Sequence, residues 1–380
     1  MEADLVSRSA FVCWMLIFGG LWLSNEAQAQ SAPCLTPTRQ DGLCVPIHRC
    51  RNIYDIVQKP TPPSTGIANY IKRAACTLPG VERSICCQPP EVVPETTVLP
   101  GKADLLPKEC GQSVNDRIAF GNATQVFAFP WMALLQYNQN GELIDGCGGS
   151  LINNRYVLTA AHCIKTRSTI RLVQVRLGEH TRNQDIDCNI YRDNNGVEIE
   201  RDCADPVEDY QVESFEIHPD YNRPKYSNDI GLIRLDRSVT MKYHIRPICL
   251  PVTPQLRSKQ FERYIVTGWG TTENQTGSQA LLQATVPRVN NDECQQKMLQ
   301  NRLNVQLSDK QLCAGGSDKV DTCRGDSGGP LVFSTDFNGP RFIQFGVVSA
   351  GVDSCGKKSI PGIYCRVGSY MDWILNTIKP

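Results

Sequence analysis

The sequence has no excess of either charge: 39 Lys and Arg balance 39 Asp and Glu, for a net +0 at pH 7. Without a long-range field there is no electrostatic case for nucleic acid or an anionic membrane, and the expected partners are proteins. Long apolar runs are scarce too. The one present, Ala10 to Leu23, is too short for a comfortable membrane span of about 20 residues. Ala27-Gln28-Ala29 follows it with the small-x-small form of a signal-peptidase site. Residues 1–29 are therefore expected to be a signal peptide cut before Gln30, leaving a secreted, extracellular protein with no membrane span. No internal repeat is evident.

What the sequence has instead is cysteine, 18 in all, a usage that fits a disulfide framework in an oxidising compartment. Cys13 falls in the signal peptide. Cys34, Cys44, Cys50, Cys76, Cys86 and Cys87 form a compact group in a segment too small to rely on a hydrophobic core. They lack the Cys-x-x-Cys knuckle that a zinc site would use, and sequence alone does not choose among their many possible connectivities. Pro89 to Glu109 is rich in proline and poor in aromatics, as in an extended linker. Length predicts two or three domains. The body from Ile118 to Pro380 shows short apolar runs, such as Trp131 to Leu135 and Phe342 to Val348, separated by Gly, Asn and Pro turns. These read as strands of an all-β body. Only its end looks helical, with Tyr370, Trp373, Ile374 and Ile378 at helix-like spacing.

The most informative stretch is Asp321-Thr322-Cys323-Arg324-Gly325-Asp326-Ser327-Gly328-Gly329-Pro330. A serine hydroxyl is a poor nucleophile at its own pKa and needs a base to take its proton. Thr159-Ala160-Ala161-His162-Cys163 lies upstream, and Asn228-Asp229-Ile230-Gly231-Leu232 lies between the two. The chain order His, Asp, Ser separates a chymotrypsin-type arrangement from those of subtilisin and the α/β-hydrolases.

With these motifs, the Cys147/Cys163 pair and Gly268-Trp269-Gly270, the chain resembles the trypsin-like serine proteases. The resemblance implies a double β-barrel with a C-terminal helix, preceded by a small disulfide-rich domain. Ser327 would attack the scissile carbonyl, His162 would act as general base and then acid, and Asp229 would orient the imidazole. The N–H groups of Gly325 and Ser327 would form the oxyanion hole. In the family the residue six before the nucleophile, here Asp321, lies at the base of the specificity pocket. Its carboxylate would call for a substrate Arg, whose planar fork suits it better than Lys. Ser349, Ala350, Gly351 and Gly362 would line that pocket, although Ala350 stands where the family usually has an aromatic.

Asp116-Arg117-Ile118-Ala119-Phe120-Gly121 resembles the family's activation junction, with Ala119-Phe120-Gly121 replacing the commoner Val-Gly-Gly. A cut after Arg117 would give Ile118 an ammonium group able to pair with Asp326 and complete the site. The six N-terminal cysteines resemble the clip domain of arthropod cascade proteases, which implies Cys34–Cys86, Cys44–Cys76 and Cys50–Cys87. The domain boundaries would be 30–88 for the clip domain, 89–117 for linker and activation segment, and 118–380 for the protease.

The family pattern also implies Cys147–Cys163, Cys294–Cys313, Cys323–Cys355 and a bond from Cys110 to Cys249. Cys188–Cys203 would be an extra bridge, as in clip proteases similar to easter and the prophenoloxidase activators, and Cys365 is left over. By resemblance to the calcium loop of trypsin-like enzymes, Glu179 and Asp187 could give carboxylates and Thr181 and Gln184 carbonyls to a structural Ca²⁺. No cofactor is expected for catalysis. Asn122-Ala123-Thr124 and Asn274-Gln275-Thr276 are glycosylation sequons.

The expected activity is therefore a secreted serine endopeptidase zymogen, switched on by an upstream protease, cutting proteins after Arg or Lys in an extracellular cascade. By resemblance that cascade serves melanisation, immune signalling or patterning, under serpin control. A non-catalytic clip-domain cofactor and a digestive trypsin are the competing readings.

Overall fold

The computed structural model describes residues 31–57, 63–78, 83–92, 103–113, 124–271, 277–316, 325–336, 339–350 and 360–380. The chain divides into two compact units, Met1–Glu95 and Thr96–Pro380.

In the first unit, strands β1 (Ala32–Leu35), β2 (Asp41–Pro46), β3 (Ala75–Cys76) and β4 (Ser84–Cys87) form an antiparallel sheet in the order β1-β2-β4-β3. Helices α1 (Arg51–Val57) and α2 (Thr65–Ala74) lie between β2 and β3 in the chain. Val45, Ile53, Ala74 and Ile85 are its buried centre, which is little apolar surface for an independent fold. Three disulfides supplement it, Cys34–Cys86, Cys44–Cys76 and Cys50–Cys87. Each such bridge typically adds about 2–4 kcal/mol by restricting the unfolded chain.

The second unit holds two closed six-stranded barrels. The first is built from β5 (Met132–Gln139), β6 (Glu142–Leu151), β7 (Tyr156–Thr159), β8 (Ile170–Leu177), β11 (Glu208–Ile217) and β12 (Gly231–Leu235). Between β8 and β11 the strands β9 (Cys188–Arg192) and β10 (Glu198–Cys203) form a separate ribbon, closed by Cys188–Cys203. The second barrel is built from β13 (Arg263–Gly268), β14 (Leu282–Val289), β15 (Gln311–Ala314), β16 (Pro330–Asp336), β17 (Pro340–Ala350) and β18 (Gly362–Arg366).

Local chemistry explains the pairing. Gln139 pairs with Glu142 across Asn140-Gly141, both at positive φ (55° and 95°). Asn-Gly accepts that backbone cheaply, and the resulting turn follows the natural twist of the strands. From Met132 to Tyr137, β5 is buried at every position rather than at alternate ones. Trp131, Leu135, Leu158, Val175 and Ile233 fill the core around the first barrel, and Tyr264, Leu331, Phe345 and Tyr364 that of the second. Burying one such side chain is worth roughly 1.5–3 kcal/mol.

The end of the chain is helical, as its spacing predicts. A 3₁₀ turn, Val367–Tyr370, leads into α6 (Met371–Thr377), which buries Met371, Ile374 and Leu375. The helical content is wider than that, and the expectation of a single helical end needs correcting. Short helices α3 (Ala161–Ile164) and α4 (Pro254–Ser258) precede α5 (Asn291–Gln300). Asn290 caps α5 by accepting from the Asp292 N–H at 2.8 Å, and only Cys294 and Met298 are buried on it. Two inward positions are too few to register as a periodic stripe.

The segment before the protease body is fastened to it. Cys110 is bonded to Cys249, Gly111 N–H donates to the Pro247 carbonyl at 2.8 Å, and Phe342 N–H donates to the Gly111 carbonyl at 2.8 Å. No helix among the described residues is long and apolar enough to cross a membrane.

Candidate active site

His162 sits in α3, one helical turn after β7, and the Cys147–Cys163 bridge anchors that turn to β6. Asp229 lies just before β12 in a loop set by its neighbour Asn228, which has φ 55°. The Asn228 side chain accepts from the Tyr370 hydroxyl at 3.0 Å and donates to the Asp220 carbonyl at 3.0 Å. This anchoring presents the Asp229 carboxylate to three donors: His162 backbone N–H at 2.9 Å, His162 Nδ1 at 2.8 Å and Ser349 Oγ at 2.6 Å.

The carboxylate is buried, whereas the imidazole is about one-third exposed (32%). Burial pushes the His162 pKa down, but the hydrogen bond to Asp229 and that residue's charge outweigh it. The imidazole therefore titrates above its ordinary value.

Ser327 occupies a tight turn in which Gly329 N–H donates to the Asp326 carbonyl at 2.9 Å. Gly148 N–H donates to the Ser327 carbonyl at 2.8 Å, and Gly328 N–H to the Val348 carbonyl at 2.8 Å. Gly328 has φ 79°, and a Cβ there would lie 2.1 Å from Thr159 Oγ1, 2.4 Å from the Gly148 carbonyl and 3.2 Å from Cys163 Sγ. Only glycine fits. Cys163 Sγ is itself 3.6 Å from His162 Nε2, so Gly328 and the imidazole neighbour the same sulfur.

Among the described residues Ser327 Oγ makes no hydrogen bond, and the N–H groups of Gly325 and Ser327 donate to none. Contacts of this kind commonly tighten only when substrate is bound. Asp326 faces the other way: it accepts from Gly270 N–H at 2.8 Å and lies over Gly268 and Gly270. A Cβ on either glycine would come within 2.6 Å of that carboxylate, which accounts for the Gly-Trp-Gly sequence.

The remaining expected residues divide by position. Asp321, Gly351, Arg117, Ile118, Asn122, Asn274 and the Cys323–Cys355 pair lie outside the described residues. Gly362 is buried at the start of β18, and Ala350 ends β17. Ser349 turns its side chain to Asp229 rather than into a pocket, so any contribution to a pocket wall comes from its main chain. The sequence gives no signal of this contact. The same holds for Thr159, whose hydroxyl donates to the Gly148 carbonyl at 2.8 Å and faces Gly328.

Cys294–Cys313 is bonded, and Cys365 is a buried free thiol whose pKa is pushed up by burial first and by the Asp229 charge next. In the acidic loop, Glu179 and Asp187 are both buried. Asp187 accepts from the N–H groups of His180 at 3.1 Å and Thr181 at 3.0 Å, and the Thr181 carbonyl accepts from Gln184 N–H at 3.1 Å. Glu179 Oε1 has no hydrogen-bond partner, while burial and then the Asp187 charge hold the Glu179 carboxyl above its usual range.

Comparison with known proteins agrees with this geometry. The trypsin family profile matches residues 118–374, and that of the regulatory CLIP domain of proteinases matches residues 34–87. Serine protease grass of Drosophila melanogaster is 39% identical over 386 residues, covering 98% of this chain and 98% of the relative. Melanization protease 1 of the same organism is 36% identical over 401 residues, covering 97% and 98%. The crystal structure of the Drosophila Grass clip serine protease of the Toll pathway aligns with a TM-score of 0.64 and 38% identity, covering 91% of this chain and 97% of that one. Since the likeness runs along nearly the whole length, through both the CLIP domain and the protease body, the chain belongs to the clip-domain branch of the trypsin family and is a serine endopeptidase.

Proposed function

We propose that the protein is a secreted zymogen that is cut after Arg117 and then cleaves protein substrates after Arg in an extracellular proteolytic cascade. The observation that carries the chemistry is the pairing of His162 Nδ1 with buried Asp229, with Cys163 Sγ close both to Nε2 and to Gly328, the residue after Ser327. Ser327 Oγ attacks the scissile carbonyl as His162 Nε2 takes its proton, and Asp229 stabilises the imidazolium that forms. The N–H groups of Gly325 and Ser327 receive the developing oxyanion, and removing one such donor typically costs about 2.7–4 kcal/mol of transition-state stabilisation. His162 then returns the proton to the leaving amine, and water repeats the sequence on the acyl-enzyme. Trypsin-like proteases need no cofactor for this chemistry.

Asp321 at the pocket base sets the preference for Arg over Lys. The new ammonium of Ile118 pairs with Asp326 and orders the oxyanion turn. The relatives' names place them in the Toll pathway and in melanisation, and a cascade of that kind, restrained by a serpin, fits a CLIP domain joined to a protease. Asn122 and Asn274 are the glycosylation sites. Glu179 and Asp187, with the Thr181 and Gln184 carbonyls, fit a hard cation. The unpartnered buried Oε1 of Glu179 is the kind of oxygen Ca²⁺ takes, and its role there is to brace the loop.

The test is to secrete the full chain, cut it with an Arg-specific protease and sequence the new N-terminus, with Ile118 expected. A fluorophosphonate probe must then label Ser327, and digests of denatured proteins must end in Arg. An unlabelled serine in the cut protein, or cleavage after apolar residues, overturns the proposal.

A further inference from the structure

An open cleft of about 440 Å³ is lined by Lys165, Thr166, Tyr221, Asn222 and Arg223, and the Asp229 charge acts on its Tyr221. Its two walls are tied to two residues of the site. Lys165 caps the C-terminus of α3, its N–H donating to the Ala161 carbonyl at 2.8 Å, three residues beyond His162. Tyr221, Asn222 and Arg223 belong to the loop that ends at Asp229.

That loop is braced from within. Asn222 Oδ1 accepts from Tyr226 N–H at 2.9 Å, Asn222 N–H donates to the Ser227 carbonyl at 2.8 Å, and Asn228 Nδ2 donates to the Asp220 carbonyl. The cleft's position is therefore fixed relative to the loop that carries Asp229.

Its charge is one-sided. Lys165 and Arg223 are exposed in its walls, with Arg167 and Lys225 exposed nearby in the same two loops. None of the four has an ion-pair partner among the described residues, and Lys225 makes only a contact with the Tyr226 ring, 4.8 Å from its centroid. Asp220, next to Tyr221 in the chain, makes no ion pair with any of the four among the described residues, and its charge acts on His218. Some cations elsewhere on the barrels sit against acids, Arg155 and Arg234 on Glu213, Arg176 on Asp209, and Arg182 on Asp145, while others, such as Arg171 and Arg263, have no ion pair among the described residues but do not line this cleft. In a chain with no net charge, cations without an acid among the described residues, gathered around one cleft, suit an anionic group from outside.

We propose that this cleft is a specificity site that takes an acidic side chain of the protein substrate, within a few residues of the scissile bond. Lys165 and Arg223 bind the carboxylate from opposite walls. The inference rests on the reading of cleavage after Arg only in that its test peptides carry Arg at the cut.

The test uses the activated full-length protein and internally quenched peptides with Arg fixed before the cut. Glu, Ala and Lys are placed in turn at each of the three positions on either side. Active enzyme is counted with a fluorophosphonate titrant, so that every kcat/KM refers to folded sites. At one position Glu is expected to exceed Ala by about tenfold and Lys to fall below both, the yield of two partly exposed ion pairs. The gap should close in about 0.5 M salt. In the double variant K165E/R223E, Lys should exceed Glu at that same position, while Lys165→Ala alone should remove part of the preference.

A flat series at every position overturns the proposal, as does a Glu preference that survives in K165E/R223E. Retention of the wild type on a sulfated-polysaccharide column, lost in the double variant and accompanied by a flat peptide series, also overturns it and makes the cleft a polyanion site. If no Arg peptide is cut, the cleavage reading falls instead, which a flat series with brisk cutting distinguishes.

Discussion

Replacing Asp229 by Asn tests the geometry of the site at its most determined point. The carboxylate receives three donors, and they are not equivalent. His162 backbone N–H reaches Oδ1 at 2.9 Å, while His162 Nδ1 and Ser349 Oγ both reach Oδ2 at 2.8 and 2.6 Å. An amide of the same shape must place its NH₂ on one side. Facing the backbone N–H, it would set donor against donor, and a main-chain N–H cannot turn away. The amide oxygen therefore takes the Oδ1 place, and the NH₂ faces Nδ1 and Ser349 Oγ.

Ser349 can turn its hydroxyl to accept. The imidazole can accept only by giving up the Nδ1 proton, which leaves its proton on Nε2, toward Ser327. The base then has no lone pair to offer the nucleophile. For triads of this family the same change costs about 10⁴ in kcat, or about 5.4 kcal/mol at 1.36 kcal/mol per decade. Expected in Asp229→Asn are a kcat loss of that order on an Arg-amide substrate, a KM within about threefold, and thermal unfolding close to that of the parent. A kcat loss below tenfold in a folded, activated Asp229→Asn protein would refute the reasoning.

Other outcomes follow from the same geometry. Because Asp229 raises the His162 pKa and only the neutral imidazole is a base, activity should fall as the pH drops through a midpoint above the ordinary histidine value of about 6.5. A kcat/KM profile measures that acid limb, and a midpoint below 6 contradicts the assignment. With Ca²⁺ at about a hundred times its Kd, the melting temperature should rise by about 5 °C; Glu179→Gln should abolish that rise, and an equal rise in the variant places the ion elsewhere. After cutting at Arg117, the wild type should run as one band on a non-reducing denaturing gel. The double variant Cys110→Ser/Cys249→Ser should run as two, and a single band there shows another covalent link.

How much of this can be read from the sequence depends on how local each signal is. Asn140-Gly141 announces its hairpin because the backbone it favours is set within two residues. Trp131 to Leu135 and Phe342 to Val348 read as strands because barrel strands buried nearly end to end are simply apolar runs. Helix α5 is hidden, since it turns only Cys294 and Met298 inward and a cap and a disulfide fix its place. The motifs around His162, Asp229 and Ser327 mark those residues in the chain, but not their meeting. Ser349 is the clearest case: 120 positions separate it from Asp229, and the contact exists only because β17 ends where the Asp229 loop passes. No local pattern records such an encounter.

The Cys110–Cys249 bridge joins a residue before Arg117 to one after it, and this has a kinetic meaning. Cut as proposed at Arg117, the molecule would keep its amino-terminal unit, so wherever that unit adhered the enzyme's local concentration would rise with it, as for any linked pair of binding modules. Diffusion away from the place of activation would then be limited by how long the small unit stayed bound, and the reach of proteolysis would be set by a part of the chain remote from the triad.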